Sequence, residues 1–155
     1  MKKFTLIFFT TLVLSFATQA QDYKTGIGIR SGWGSGLSWK HFLGEQTAFE
    51  GILNSQWKGF SLTGLFEIHK NAFNADRLYW YYGGGGHIGF WNGKYNSRFD
   101  AGNNTIIGID GVLGLEYNFD FIPINLSVDW KPALNLVGVS GFWGDGGAVS
   151  IRYIF

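Results

Sequence analysis

The chain has 155 residues with 12 Lys and Arg against 11 Asp and Glu, a formal net charge of +1, so no basic excess advertises a nucleic-acid partner. It has no cysteine, which excludes both a disulfide framework and a thiolate metal site. Its 24 glycines, 7 Trp, 7 Tyr, 15 Phe and only 2 prolines are unlike a disordered or helical protein and suit tightly curved strands.

The first residues are the cationic Met1-Lys2-Lys3, an apolar run from Phe4 to Phe16, and the small residues Ala17-Thr18-Gln19-Ala20. This is the layout of a secretory signal peptide. The apolar run, about 13 residues, is short of the roughly 20 that a spanning helix needs. Residues 1–20 are therefore expected to be removed near Gln21, leaving one domain over 21–155 with a slight acidic excess. Past residue 20 no apolar stretch is long enough for a transmembrane helix, so entry into a membrane requires a closed barrel.

Alternation of period two predicts eight strands, about 24–33, 36–43, 47–55, 59–69, 78–91, 106–118, 123–131 and 147–155. In the first, Ile27 and Ile29 oppose Gly28 and Arg30; in the second, Leu37 and Trp39 oppose Ser38 and Lys40. Phe49 and Leu53 oppose Glu50 and Asn54, and Phe60, Leu62, Phe66 and Ile68 oppose Ser61, Thr63, Glu67 and His69. The fifth sets Trp80, Tyr82, Ile88 and Phe90 against Tyr79, Tyr81 and His87. The sixth sets Ile107, Ile109, Leu113, Leu115 and Tyr117 against Asp110 and Glu116, and the seventh sets Ile124, Leu126, Val128 and Trp130 against Asn125, Ser127, Asp129 and Lys131.

Each strand charge thus shares a face with Ser, Thr, Asn and Gly, and none is expected on the face of Leu, Ile and Trp. An eight-stranded barrel encloses only enough room for modest side chains, so the bulky aromatics belong outside and the small and charged groups inside. The fold expected is all-β: an eight-stranded antiparallel up-and-down transmembrane β-barrel.

An even strand count puts both ends of the domain on the periplasmic side. The outer connections then fall near Gly34-Ser35, Gln56-Trp57-Lys58, Asn92 to Thr105, and Pro132 to Gly146. Trp33, Trp57, Trp91 and Trp143 lie in or beside them; Trp80, Tyr117, Phe119, Phe121, Tyr153 and Phe155 gather at the inner ends, giving two aromatic girdles. Lys70 to Asp76 is longer than a minimal inner turn, and Pro132, which cannot donate to a ladder, is expected at a rim or bulge.

The last segment places Val149, Ile151, Tyr153 and Phe155 on one face, with Ser150 and Arg152 on the other. Its ending, with Ile151, Tyr153 and the terminal Phe155, resembles the segment by which the barrel-assembly machinery recognises outer-membrane barrels. The stretches IGIDGVLGLEYNF (107–119), IPINLSVDWKPALNL (122–136) and GDGGAVSIRYIF (144–155) resemble small outer-membrane β-barrel proteins of Bacteroidota-type bacteria. In architecture these are similar to the OmpA transmembrane domain and OmpX. The resemblance implies a barrel in contact with outer-membrane lipid and lipopolysaccharide, here without the peptidoglycan-binding domain that follows the barrel in OmpA.

Inside, Arg30, Lys40, Lys131 and Arg152 face Glu50, Glu67, Asp110, Glu116 and Asp129, which is costly unless they pair. Interlocking ion pairs that plug the lumen are expected, with an ion pathway as the alternative. His69 and His87 share that face, and with Glu67 or Asp110 they suggest a general-base pair of a lipid A-modifying enzyme. No catalytic motif accompanies them, so interior hydrogen bonding is the expectation. His41 falls on the lipid face. Gly83-Gly84-Gly85-Gly86 lacks the Lys-Ser/Thr ending of a P-loop and is expected to relieve crowding at a bend. No ligand spacing suggests a metal, and no cofactor is implied. In the outer connections Tyr95, Arg98, Phe99, Phe142 and Trp143 mix aromatic with polar groups, a composition suited to an extracellular glycan, lipopolysaccharide or protein. The expected function is non-enzymatic: a structural, surface-contact or envelope-integrity role.

Overall fold

A computed structural model describes residues 23–32, 34–56, 59–91, 105–138, 141–144 and 146–155. The expected signal peptide, Trp33, Trp57 and the 92–104 connection with Tyr95, Arg98 and Phe99 lie outside the described residues, as does the Trp91 side chain. In chain order the strands are β1 (Thr25–Gly32), β2 (Ser35–Phe42), β3 (Thr47–Gln56), β4 (Gly59–Asn71), β5 (Leu78–Trp91), β6 (Thr105–Asn118), β7 (Ile124–Trp130), β8 (Ala133–Val137), β9 (Gly141–Trp143) and β10 (Gly147–Ile154).

Pairing runs from β1 through β7 in sequence, then to β10, which returns to β1; every pair is antiparallel. The fold is therefore a closed eight-stranded antiparallel β-barrel. Closure removes the free sheet edges that an open sheet would leave. The first and last strands lock over seven register pairs, from Gly26 opposite Ile154 to Gly32 opposite Ala148. Phe155 completes the seam by donating its N–H to Thr25 O at 2.8 Å and accepting from Thr25 N at 2.9 Å. The eight predicted segments are these eight strands, with ends displaced by at most two residues.

One connection differs from the expectation. Pro132 to Gly146, read as an outer loop, holds β8 and β9. β7 pairs with the half of β6 nearest the chain ends, from Leu113 to Asn118, and β8 with the far half, from Ile107 to Asp110. Pro132 sits in the break between them. It cannot donate a ladder bond, but its carbonyl accepts from Gly111 N at 2.9 Å, so the strand jogs and continues. Alternation then resumes, with Asn135 buried and Leu134 and Leu136 exposed. β9 folds back on β8, pairing Leu134 with Phe142.

At the other end, the 72–77 turn is long because it uses three residues in the left-handed region: Phe73 (φ 56°), Asn74 (φ 53°) and Arg77 (φ 64°). Asn71 Nδ2 donates to Ala75 O at 2.8 Å, and Arg77 pairs with Asp120 of the next turn.

The outward face carries Ile29, Leu37, Leu62, Ile109, Val128 and many other large apolar side chains, all exposed. The inward face is mainly polar and charged. It is not purely so, which corrects the expectation that no Leu or Ile shares the charged face: Ile52, Leu65, Tyr81 and Val112 form a buried cluster inside. The glycine run explains it. A Cβ at Gly83 would run into the Phe66 carbonyl and one at Gly85 into that of Gly64, so β4 and β5 approach too closely for any other residue. Leu65, opposite Gly85, and Val112, opposite Gly83, fill the volume left free.

Candidate functional site

Period-two alternation turns every second side chain of the eight strands into one narrow space. Within it the nine charged residues form three linked groups. Nearest the far mouth, Asp110 accepts from Lys131 Nζ at 2.6 Å and contacts His87 Nδ1 at 2.6 Å. The other ring nitrogen of His87 lies 3.0 Å from Asn135 Oδ1.

In the middle, Arg30 forks onto Asp129, with Nη1 to Oδ2 at 2.6 Å and a second, closer contact from Nη2 to Oδ1. Tyr81 donates its hydroxyl to the same carboxylate at 2.9 Å. The phenol has room because β6 carries Gly114, where a Cβ would come 2.5 Å from Tyr81 Cζ.

Towards the chain ends, Arg152 donates to Ser38 Oγ at 2.6 Å, Ser127 Oγ at 2.7 Å and Asn125 Oδ1 at 3.1 Å. Its Nη2 contacts Glu50 Oε1, which also accepts from Ser38 at 2.6 Å. Lys40 Nζ sits among three carboxylates: Glu67 at 2.8 Å, Glu116 at 3.4 Å and Glu50 at 3.6 Å. It also lies over the Tyr81 ring, 4.1 Å from the centroid. His69 bridges Glu67 (3.0 Å) and Glu116 (3.3 Å) and stacks on Tyr81. Tyr23, just ahead of β1, closes this end, its hydroxyl 3.3 Å from Glu116 Oε2 and its ring edge-on to Phe42.

These pairs join strands that are not neighbours: Arg30 of β1 reaches Asp129 of β7, Lys40 of β2 reaches Glu116 of β6, and Arg152 of β10 reaches Glu50 of β3. Buried charges paired across the lumen cross-brace the ring in place of apolar packing, with Glu50 Oε2, Glu67 Oε1 and His69 Nδ1 left without a hydrogen-bond partner. Breaking one leaves an uncompensated charge, at a cost of about 3–5 kcal/mol.

The remaining predicted residues lie elsewhere. Ile151, Tyr153 and Phe155 are exposed on the outward face, with the Tyr153 and Phe155 rings 6.1 Å apart. Phe142 and Trp143 are exposed too, but as part of β9 rather than of a loop. Trp80 stacks on Tyr82 and Tyr117 packs edge-on to Phe119, all near the chain-end rim. His41 faces outward beside that rim, stacked on Trp39 and 2.9 Å from Thr25 Oγ1.

The two interior histidines do not meet. His69 is opposite Tyr81 on β5, and His87 lies six residues further along that strand, about 20 Å away at the usual strand rise. The two histidines therefore do not act together, although each meets the carboxylate considered with it, His69 with Glu67 and His87 with Asp110. Ser38, Ser127 and Ser150 bond Glu50, Arg152 and Arg30 rather than histidine. Among the described residues no group of three or more His, Asp and Glu is arranged to hold a metal.

The sequence reading missed Tyr23, which precedes the first alternating segment, and Tyr81 as a member of the network. Tyr81 did lie on the predicted inner face, and the opposing Gly114 was the available signal. Comparison with family models, curated proteins and solved structures gave no match.

Proposed function

We propose that the chain is a non-enzymatic integral outer-membrane β-barrel whose lumen is occluded by its own ion pairs and whose role is structural, surface-contact or envelope integrity. The observation that carries this is the assignment of sides: large apolar groups outward on every barrel strand, charged groups within. A monomeric soluble protein rarely exposes a contiguous apolar patch larger than a few hundred Å², and a band running round a closed barrel is the solution that hydrocarbon demands. Bacterial outer membranes are where such barrels reside, and the cationic, apolar and small-residue start of the chain supports export there. The wording of residues 107–155 supports a Bacteroidota-type source.

The proposed contacts are membrane lipid and lipopolysaccharide around the barrel, the barrel-assembly machinery at the strand ending in Tyr153 and Phe155, and a glycan or protein at the far rim near Phe142 and Trp143. Separation of His69 from His87 argues against the lipid-modifying alternative, and cross-bracing by three groups of ion pairs argues against a conducting pore.

Cell fractionation with gel electrophoresis tests the placement. The protein is expected in the outer-membrane fraction, running faster unheated than boiled, while recovery as a soluble periplasmic protein overturns it. In a planar bilayer the folded barrel is expected to give no discrete conductance steps; regular steps would replace occlusion with a narrow pore.

A further inference from the structure

His69 has a carboxylate on each side of its ring. Nε2 lies 3.0 Å from Glu67 Oε2 and Nδ1 lies 3.3 Å from Glu116 Oε1, and the residue is 3% exposed. A neutral imidazole carries one N–H and one lone pair, so one of these contacts would set a lone pair against a carboxylate oxygen in a section sealed from solvent. A second proton turns both contacts into attractions. Nδ1 makes no hydrogen bond to Glu116, so on that side the attraction is one of charge, which tolerates a misalignment that a hydrogen bond does not.

The groups packed around the ring point the same way. β2 supplies Lys40 and the ring of Phe42, 4.8 Å away, and β5 supplies Tyr81, stacked at 4.9 Å. Glu50 comes from β3, Glu67 from β4, Glu116 from β6 and Arg152 from β10, all buried, and Tyr23 sets its hydroxyl 3.3 Å from Glu116 Oε2. The two phenols are uncharged at neutral pH, and Arg30 and Asp129 in the next group cancel one another. Three carboxylates therefore stand against two permanent cations: Arg152, committed to Glu50, and Lys40, shared by all three. A third positive charge balances the section. Imidazole is a stronger base than a carboxylate by about two pH units, and the Glu67 oxygen that faces it already accepts from Lys40 at 2.8 Å, so a proton in that contact belongs to nitrogen.

We infer that His69 is held as an imidazolium, the third cation of this section, and works as a proton-operated brace between strands that are not neighbours. Protonated, it ties Glu67 of β4 to Glu116 of β6 across the intervening β5. Deprotonated, it turns one of the two contacts repulsive and leaves the three carboxylates one cation short. The stability that the brace contributes is present while His69 holds its second proton and is lost as pH rises through the point at which the folded barrel releases it. The brace depends on closure of the barrel and not on the membrane in which the barrel resides, so it stands or falls separately from the function proposed above.

Nitrogen NMR of the folded barrel labelled at histidine tests it, with the His69 signals assigned by elimination in His41→Gln and His87→Gln. At neutral pH both ring nitrogens of His69 are expected to carry a proton. Glu116→Gln, which leaves two carboxylates against Lys40 and Arg152, is expected to release the second proton about one pH unit or more lower than the wild type, whereas Lys131→Met at the far mouth is expected to leave the release in place. An unprotonated ring nitrogen on His69 in the wild type at neutral pH overturns the inference, and a carboxylic-acid C=O infrared band beside it would put the proton on a glutamate instead. Release at the same pH in Glu116→Gln and the wild type also overturns it. Should Glu116→Gln fail to fold, the wild-type spectrum decides.

Discussion

At the far mouth Asp110 is held by Lys131 and His87, whose side chains remain 18% and 11% exposed, whereas Lys40, Glu50 and Glu67 towards the chain ends are 0% exposed. Both regions use 2.6–2.8 Å charged contacts, so the geometry of a single bond does not distinguish them. What differs is the alternative each charge has when its partner is lost. A group with some access to water can be hydrated at modest cost; one sealed among strands cannot. The sealed region therefore has to balance its charge internally, while the mouth can leave part of that task to solvent and salt.

The largest expected effect comes from removing the most committed cation. Arg152→Ala strands Glu50 and takes the donor from Ser127, Asn125 and Ser38. It should cost about 3–5 kcal/mol, measured as the shift in urea unfolding of the barrel in lipid vesicles followed by tryptophan fluorescence. Adding Glu50→Gln to that variant should recover part of the loss, with a coupling of about 0.5–3 kcal/mol. Strict additivity would mean that the two residues do not act as a pair, and the contrast with the mouth would lose its basis.

Gly114→Ala probes the same region through packing. The added Cβ would lie 2.5 Å from Tyr81 Cζ and 2.6 Å from Asp129 Cβ, and overpacking of this kind costs about 1–3 kcal/mol. Because Tyr81 lies beneath Lys40 and bonds Asp129, the displaced phenol should disturb both groups it joins. A variant with unchanged unfolding would show that the ring has slack that the static contacts do not reveal.

The barrel was legible in the sequence because its evidence is repeated eight times. Arg30, Glu50, Asp110 and Arg152 each sit one residue from an Ile, Phe or Leu, and a single register assignment turns all of them inward. Pairing across the lumen was not legible. That Arg152 meets Glu50, and that His69 and His87 stand apart, depends on the stagger between strands distant in sequence. β8 was hidden for a different reason: Pro132 is a strong terminator locally, but its carbonyl still bonds Gly111 and the alternation of Leu134, Asn135 and Leu136 carries on beyond it. Ile52 and Leu65 face inward by the same rule, two residues from Glu50 and from Glu67; what was not legible is the room for them, which the close approach of the β5 glycines to β4 leaves free.

Lys131→Met gives the smallest expected effect and the sharpest check on the mouth. Asp110, whose own side chain is 0% exposed, would lose a 2.6 Å contact but keep His87 at 2.6 Å, and its two partners are the groups that reach water. The loss should be about 1 kcal/mol, smaller than for Arg152→Ala because His87 keeps Asp110 partnered, and should shrink further as salt screens the exposed end of the pair, in the same urea assay at two ionic strengths. A loss as large as that of Arg152→Ala, indifferent to salt, would show the mouth to be as sealed as the region beneath it. In that case burial would not be what separates the two groups, and the difference would have to come from the number of partners each cation serves.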